Sequence, residues 1–233
     1  MIGLAFQMWL WWAQPTAPGL AFDVHTSAGA DPTAPLPTVV ILHGRDDALY
    51  GLPNALRNSK RPLRVVVPWG PRTQRNGTHA WFRRAEARTR DGHAAEVTAA
   101  AQQVVELLDG LQDSGLVQGR PVLVGYSQGA VVALQVSLEA PEAVGEVVAI
   151  AGHLPPAHVP DTLADHAITH VLIGEKDRVM SAKVSHQQVT HLQELGFVVD
   201  AVGFPNQGHG MGPRMRRTAL RRIYAALRNQ GEA

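Results

Sequence analysis

The chain has 233 residues, 45% of them hydrophobic and 18% charged, which suits one globular domain with a sizeable core and excludes a chain disordered as a whole. A formal net charge of +1 gives no electrostatic case for nucleic acid as a partner. There is no cysteine, which excludes disulfides, thiolate metal sites and a cysteine nucleophile.

Residues 1–13 are almost wholly apolar and include Trp9, Trp11 and Trp12. This run is too short to span a bilayer. It lacks the leading Lys or Arg and the A-x-A site of a signal peptide. It is read as a first strand or strand pair at a sheet edge of a cytoplasmic protein. The alternative is export, with 1–13 acting as an atypical signal segment. Residues 20–26 alternate like a half-exposed strand, and 27–37, with three prolines, read as a loop.

Strands are predicted at 38–42 and 63–67. Asp91-Gly92 marks a loop ahead of a helix over 94–111, whose apolar positions are Val97, Ala101, Val104, Val105 and Leu108. A strand at 120–124, a helix at 130–136 and a strand at 146–150 follow. After them come a strand at 169–174, a helix over 182–195 ended by Gly196, and a strand at 201–204. Alternation of this kind implies an α/β fold: a mainly parallel sheet with helices on both faces. No gap is long enough for a lid domain. The last helix, 213–228, sets Arg214, Arg216, Arg217, Arg221, Arg222 and Arg228 around Met215, Leu220, Ile223, Tyr224 and Leu227. That pattern reads as the solvated face of a docked terminal helix. The sharper alternative is a weak membrane-surface contact aided by the tryptophan-rich N-terminus.

The most informative stretch is Gly125-Tyr126-Ser127-Gln128-Gly129. It joins a predicted strand to a predicted helix, the context of a G-x-S-x-G nucleophile elbow. A Cβ at either flanking glycine would crowd so sharp a turn. A serine needs a base, and the base needs an acid to orient it. Asp177 stands just past the end of a strand, where α/β sheets carry functional side chains. His209 stands in the glycine-rich stretch Pro205-Asn206-Gln207-Gly208-His209-Gly210 after the last strand. Ser127, Asp177 and His209 therefore come in the order serine, acid, histidine.

Competing readings exist for each. Asp177 could be a turn or capping residue. Asp161, Asp165 and Glu175 compete as the acid, the first two looking like solvated helix residues. Ten other histidines compete with His209. Two backbone N–H groups are needed for an oxyanion. Gln128 follows the nucleophile, and Arg45 follows the strand that runs into His43-Gly44. His43 is read mainly as a packing residue that fastens this loop.

Together these segments resemble the phospholipase/carboxylesterase group of α/β-hydrolases, which includes the acyl-protein thioesterases. The matching pieces are Leu42-His43-Gly44, Val67-Pro68-Trp69-Gly70-Pro71, Ala80-Trp81-Phe82, the elbow, Ala151-Gly152-His153-Leu154-Pro155, Gly174-Glu175-Lys176-Asp177-Arg178-Val179 and Gly208-His209-Gly210. The resemblance implies one α/β-hydrolase domain over 1–233, with a core at 38–225 and an N-terminal strand and loop extension at 1–37. It implies Ser127, Asp177 and His209 as the triad, and Arg45 and Gln128 as backbone donors to the oxyanion. Trp81, Phe82, His153 and Leu154 would border the acyl site.

Two departures stand out. Asp46 replaces a glycine usual in the loop after His43-Gly44, which would stiffen it. Arg72, Arg75 and His79 make the substrate rim more basic.

The expected activity is cleavage of carboxylic esters with short-to-medium acyl chains, through an acyl-enzyme on Ser127. No cofactor and no metal is needed. The substrate would be a small-molecule ester or a lipid-like molecule, and a homodimer is compatible with this reading. The alternatives are a lysophospholipase, an acyl-protein or acyl thioesterase, and a non-catalytic binding module on the same fold.

Overall fold

The computed structural model describes residues 19–83 and 89–229. The segment at 1–13 lies outside these residues. Seven strands form one sheet: β1 (Phe22–Thr26), β2 (Thr38–Leu42), β3 (Arg64–Pro68), β6 (Val122–Tyr126), β7 (Glu146–Ile150), β8 (Ile168–Gly174) and β9 (Val199–Phe204). A separate hairpin holds β4 (Arg72–Thr73) and β5 (His79–Ala80). The sheet order is β1-β3-β2-β6-β7-β8-β9, parallel throughout except for β1, which pairs antiparallel with β3.

The strand sequences explain this arrangement. Residues 38–42, 64–68, 122–126 and 146–150 are buried at every position, as a strand covered on both faces requires. Side chains alternate between the faces. Val39, Ile41, Val65, Val67, Val122 and Val124 meet α1 (Leu52–Arg57) and α5 (Pro213–Asn229). Val40, Leu42, Val66 and Leu123 meet α2 (Arg90–Asp113) and α3 (Gln128–Glu139). A third cluster, with Leu134, Leu154, Val171, Ile173 and Val189, joins α3 and β8 to α4 (Ala182–Glu194).

Several elements differ from the sequence reading. Helix α2 starts at Arg90, because the Thr89 side chain caps it by accepting from Gly92 N at 3.2 Å. Asp91-Gly92 is thus the first turn of the helix, not a loop, with Asp91 at its positive end. Asp161 and Asp165 are exposed in a connection that is not helical. In α5, Met215, Ala219, Ile223 and Ala226 face the core while Arg214, Arg216, Arg217, Arg221 and Arg228 are exposed, as expected of a docked terminal helix. Among the described residues no helix is long and apolar enough to cross a membrane.

The chain runs from β2 outward to β3 on one side and from β6 outward to β9 on the other. The direction of winding thus reverses between β2 and β6. In an open α/β sheet the crevice beyond the carboxyl ends of such a strand pair is where ligands bind. The loop after β2 and the turn after β6 both open into it.

Candidate active site

Ser127 joins β6 to α3 with φ 52° and ψ −114°, a conformation sparsely populated by residues bearing a Cβ. It is held by a bond from its own N–H to Ile150 O at 2.9 Å. Its carbonyl accepts from Ala130 and Val131 at 3.0 and 3.1 Å, which starts the helix. The flanking glycines supply room. A Cβ on Gly125 would sit 2.2 Å from Gly129 O, and one on Gly129 would sit 2.3 Å from Leu42 O. Neither glycine has a positive φ, so the strain rests on the serine itself.

The structure brings Ser127, His209 and Asp177 together. Ser127 Oγ lies 2.9 Å from His209 Nε2. His209 Nδ1 lies 2.8 Å from Asp177 Oδ2. A carboxylate can only accept here, so Nδ1 carries the proton and Nε2 is left to accept from the serine hydroxyl. The other carboxylate oxygen, Asp177 Oδ1, accepts from Val179 N and Met180 N, both at 2.8 Å. Asp177 is buried, and these three bonds satisfy a charge that would otherwise be costly there. Glu175 is directed elsewhere: its Oε1 lies 2.9 Å from His186 Nε2.

His43 is fully buried and braces the loop after β2. Its Nδ1 donates to Gly44 O at 2.6 Å, and its Nε2 accepts from Gly70 N at 2.9 Å. One neutral tautomer satisfies both bonds. Burial pushes the imidazole below the ordinary histidine value, which keeps it in that form. Beyond it a short 3₁₀ turn, Arg45–Asp47, carries two residues with positive φ, Asp46 at 61° and Asp47 at 59°. The turn is tied to the β4–β5 hairpin. Arg45 Nε donates to Gln74 Oε1 at 3.0 Å, so this side chain lies against the hairpin. Gln74 Nε2 donates to Asp46 Oδ1 at 2.6 Å, and His79 N to Asp47 Oδ1 at 2.8 Å. Gln128, the first residue of α3, links the same regions. Its side chain accepts from Trp81 N at 3.1 Å and donates to Phe82 O at 2.9 Å.

A sequence model of the family described as phospholipase/carboxylesterase matches residues 26–227. The chain belongs to the phospholipase/carboxylesterase family. It is a hydrolytic enzyme of the carboxylesterase type. No curated protein sequence matches it significantly. Among solved structures, esterase PE8 superposes with a TM-score of 0.73 at 24% identity, over 88% of this chain and 99% of that one. The Bacillus cereus carboxylesterase gives 0.69 at 20% identity, over 89% and 94%. The Zea mays acyl-protein thioesterase 2 gives 0.67 at 20% identity, over 89% and 99%. At such identities these likenesses speak for the α/β-hydrolase fold.

Within this phospholipase/carboxylesterase frame, the residues expected along an acyl site are mostly packed away. Trp81 is 2% exposed, and its indole N–H donates to His43 O at 2.8 Å. Phe82 is 5% exposed and meets the His93 ring edge-on at a centroid distance of 5.1 Å. Leu154, 1% exposed, belongs to the core cluster between α3 and β8. His153 is half-buried, with Nδ1 donating to Leu154 O at 3.1 Å. Sequence reasoning did not single out Tyr50, Gln74 or the side chain of Tyr126. Tyr126 fills a variable position of the elbow motif, and its contact is with a residue 83 positions away. Nothing local could have signalled it.

Proposed function

We propose that the protein is a serine esterase that cleaves carboxylic esters through an acyl-enzyme on Ser127. The observation that carries this reading is the continuous chain of contacts from Ser127 Oγ through His209 to Asp177, at 2.9 and 2.8 Å. His209 Nε2 takes the hydroxyl proton as Ser127 attacks the ester carbonyl. It then returns that proton to the departing alcohol. Asp177 holds the tautomer and stabilises the imidazolium. The N–H of Gln128, at the positive end of α3, and the N–H of Arg45 bind the negative oxygen, each contributing roughly 3 kcal/mol. Water attacks the acyl-enzyme by the same route in reverse, with His209 as base.

The preferred acyl chains are short to medium. The burial of Trp81, Phe82 and Leu154 supports this, because side chains already packed provide no long groove. Each methylene that stays in water adds nothing, whereas each one buried is worth about 0.8 kcal/mol. The test is a rate series on p-nitrophenyl esters of two to sixteen carbons, measured below micelle formation. The expected ratio of kcat/KM for butyrate over palmitate is well above one. A ratio well under one would overturn the preference and favour a lysophospholipase or an acyl thioesterase.

A further inference from the structure

We infer that the Tyr126 hydroxyl is a positioning group for the catalytic base, fixing His209 against Ser127 by a bond to the His209 backbone. This rests on the reading of Ser127 as nucleophile and His209 as base. Tyr126 OH donates to His209 O at 2.6 Å. Tyr126 is also joined by a peptide bond to Ser127. The contacts close a ring: Ser127 Oγ to His209 Nε2, His209 carbonyl to Tyr126 hydroxyl, Tyr126 backbone to Ser127. The separation between nucleophile and base is set by that ring.

The base has need of such a tie. His209 lies between Gly208 and Gly210, and glycine leaves a chain more conformational freedom than any other residue. Gln207 stiffens the loop from within. Its side chain donates to Gly210 O and accepts from Gly212 N at 3.0 Å. Gln207 thereby shapes the loop. Tyr126 sets where the loop stands relative to the elbow.

Tyr126 is itself held on three sides. It is 4% exposed. Its ring lies so close over Gly44 that a Cβ there would fall 2.5 Å from Tyr126 Cδ1. Tyr50 packs edge-on at a centroid distance of 4.8 Å, and the two hydroxyls lie 3.3 Å apart. With its own proton on His209 O, Tyr126 accepts from Tyr50. Burial pushes the Tyr126 phenol well above its ordinary value, so the donor stays protonated. One residue thus touches the loop after β2, the elbow and the base loop. A misplacement of about 1 Å between reacting groups can cost about a hundredfold in rate.

The test compares wild type, Tyr126→Phe and two further replacements at position 126, p-fluorophenylalanine and p-aminophenylalanine. The first readout is the rate at which a small fluorophosphonate modifies Ser127, which reads the nucleophile and base without an acyl site. The second is kcat and KM for p-nitrophenyl butyrate. Loss of the donor is expected to slow both phosphonylation and kcat by about tenfold, with KM within about twofold. p-Fluorophenylalanine fills the volume without donating and serves where Tyr126→Phe loses packing. p-Aminophenylalanine keeps a donor and is expected to restore most of the rate. Wild-type phosphonylation rates in a folded Tyr126→Phe or p-fluorophenylalanine protein would overturn the inference. So would a melting temperature that falls with no change in either rate. Failure of the wild type to be modified at Ser127 would instead remove the nucleophile reading on which the inference stands.

Discussion

The two ends of the sheet are built differently. At the carboxyl ends of the strands the chain turns through residues that carry a Cβ and yet have positive φ. They are Asp46, Asp47 and Tyr50 after β2, Ser127 after β6 and Ala151 after β7. Among the described residues every non-glycine with positive φ lies there. At the amino ends positive φ falls only on glycine, at Gly29 before β2, Gly115 and Gly119 before β6, and Gly196 before β9, whereas at the carboxyl ends Gly51 and Gly77 share it with those non-glycine residues. Each strained non-glycine costs about 1–3 kcal/mol and persists only where its surroundings over-determine it. At Ser127 glycine would be the easier residue, but it has no hydroxyl.

The amino ends are also where polar ties stabilise the sheet. His170 lies between Glu146 at 2.9 Å and Asp200 at 3.4 Å, which bridges β7, β8 and β9. Helix α5 joins this cluster through Arg222 to Asp200 and through Asn229 to Glu146 at 2.9 Å. The buried Arg64, at the start of β3, donates to Leu116 O, Pro32 O and Ala34 O. These bonds help hold the sheet against the strain stored at its other end.

Substitutions at the two ends should therefore separate activity from stability. Short of removing the nucleophile itself, the largest effect is expected at Asp177. Asp177→Asn should lower kcat by about 10³ to 10⁴, because the amide favours the wrong imidazole tautomer. Glu175→Gln should leave kcat nearly unchanged. A crippled Glu175→Gln beside a mild Asp177→Asn would reassign the acid.

Next comes a pair of glycines that differ in kind. Gly129→Ala forces a Cβ against the Leu42 backbone, at 2.3 Å from its carbonyl oxygen, and should destabilise by about 3 kcal/mol. Gly29→Ala meets nothing within 4 Å but sits at φ 80°, and should cost about 1–2 kcal/mol without touching activity. Denaturant titrations of both variants check the ranking. An equal cost at the two positions would mean that room at the elbow matters less than proposed.

The smallest effect is expected at Glu146, and it depends on pH. Burial alone would raise this carboxyl, but hydrogen bonds from His170 and Asn229, together with the Arg222 charge, hold it below the usual carboxylate range. A depressed folded value contributes stability that is fully present above the unfolded value, near 4.3, and is lost as pH falls through the folded one. Glu146→Gln should therefore lower stability by about 1 kcal/mol at neutral pH and flatten the loss of stability below about pH 4.3. Melting curves of wild type and variant between pH 3 and 7 would test this, and parallel curves would exclude it.

The sequence disclosed those features that depend on short-range pattern. Strands covered on both faces are uninterrupted apolar runs, so 146–150 is read to the residue. The serine and the acid follow strands whose ends are buried, and the histidine follows the half-buried edge strand β9, so the three could be ordered along the chain. What could not be read depends on distant packing. Helix α1 is only six residues long, too short for a helical period to stand out. The antiparallel direction of β1 depends on its partner, β3. Trp81 and Leu154 are expected as lining residues from the family resemblance, but bonds and neighbours far along the chain bury them. Asp161 and Asp165 look like solvated helix residues after a proline-rich loop, yet the chain there is exposed and not helical.

The nucleophile is tested most directly by ester turnover of Ser127→Ala beside wild type, each with its thermal melt. The expected result is a melt close to that of wild type, because alanine keeps the Cβ that strains the elbow, with kcat lower by at least about 10⁵. Undiminished hydrolysis by a well-folded Ser127→Ala protein would contradict the role of Ser127.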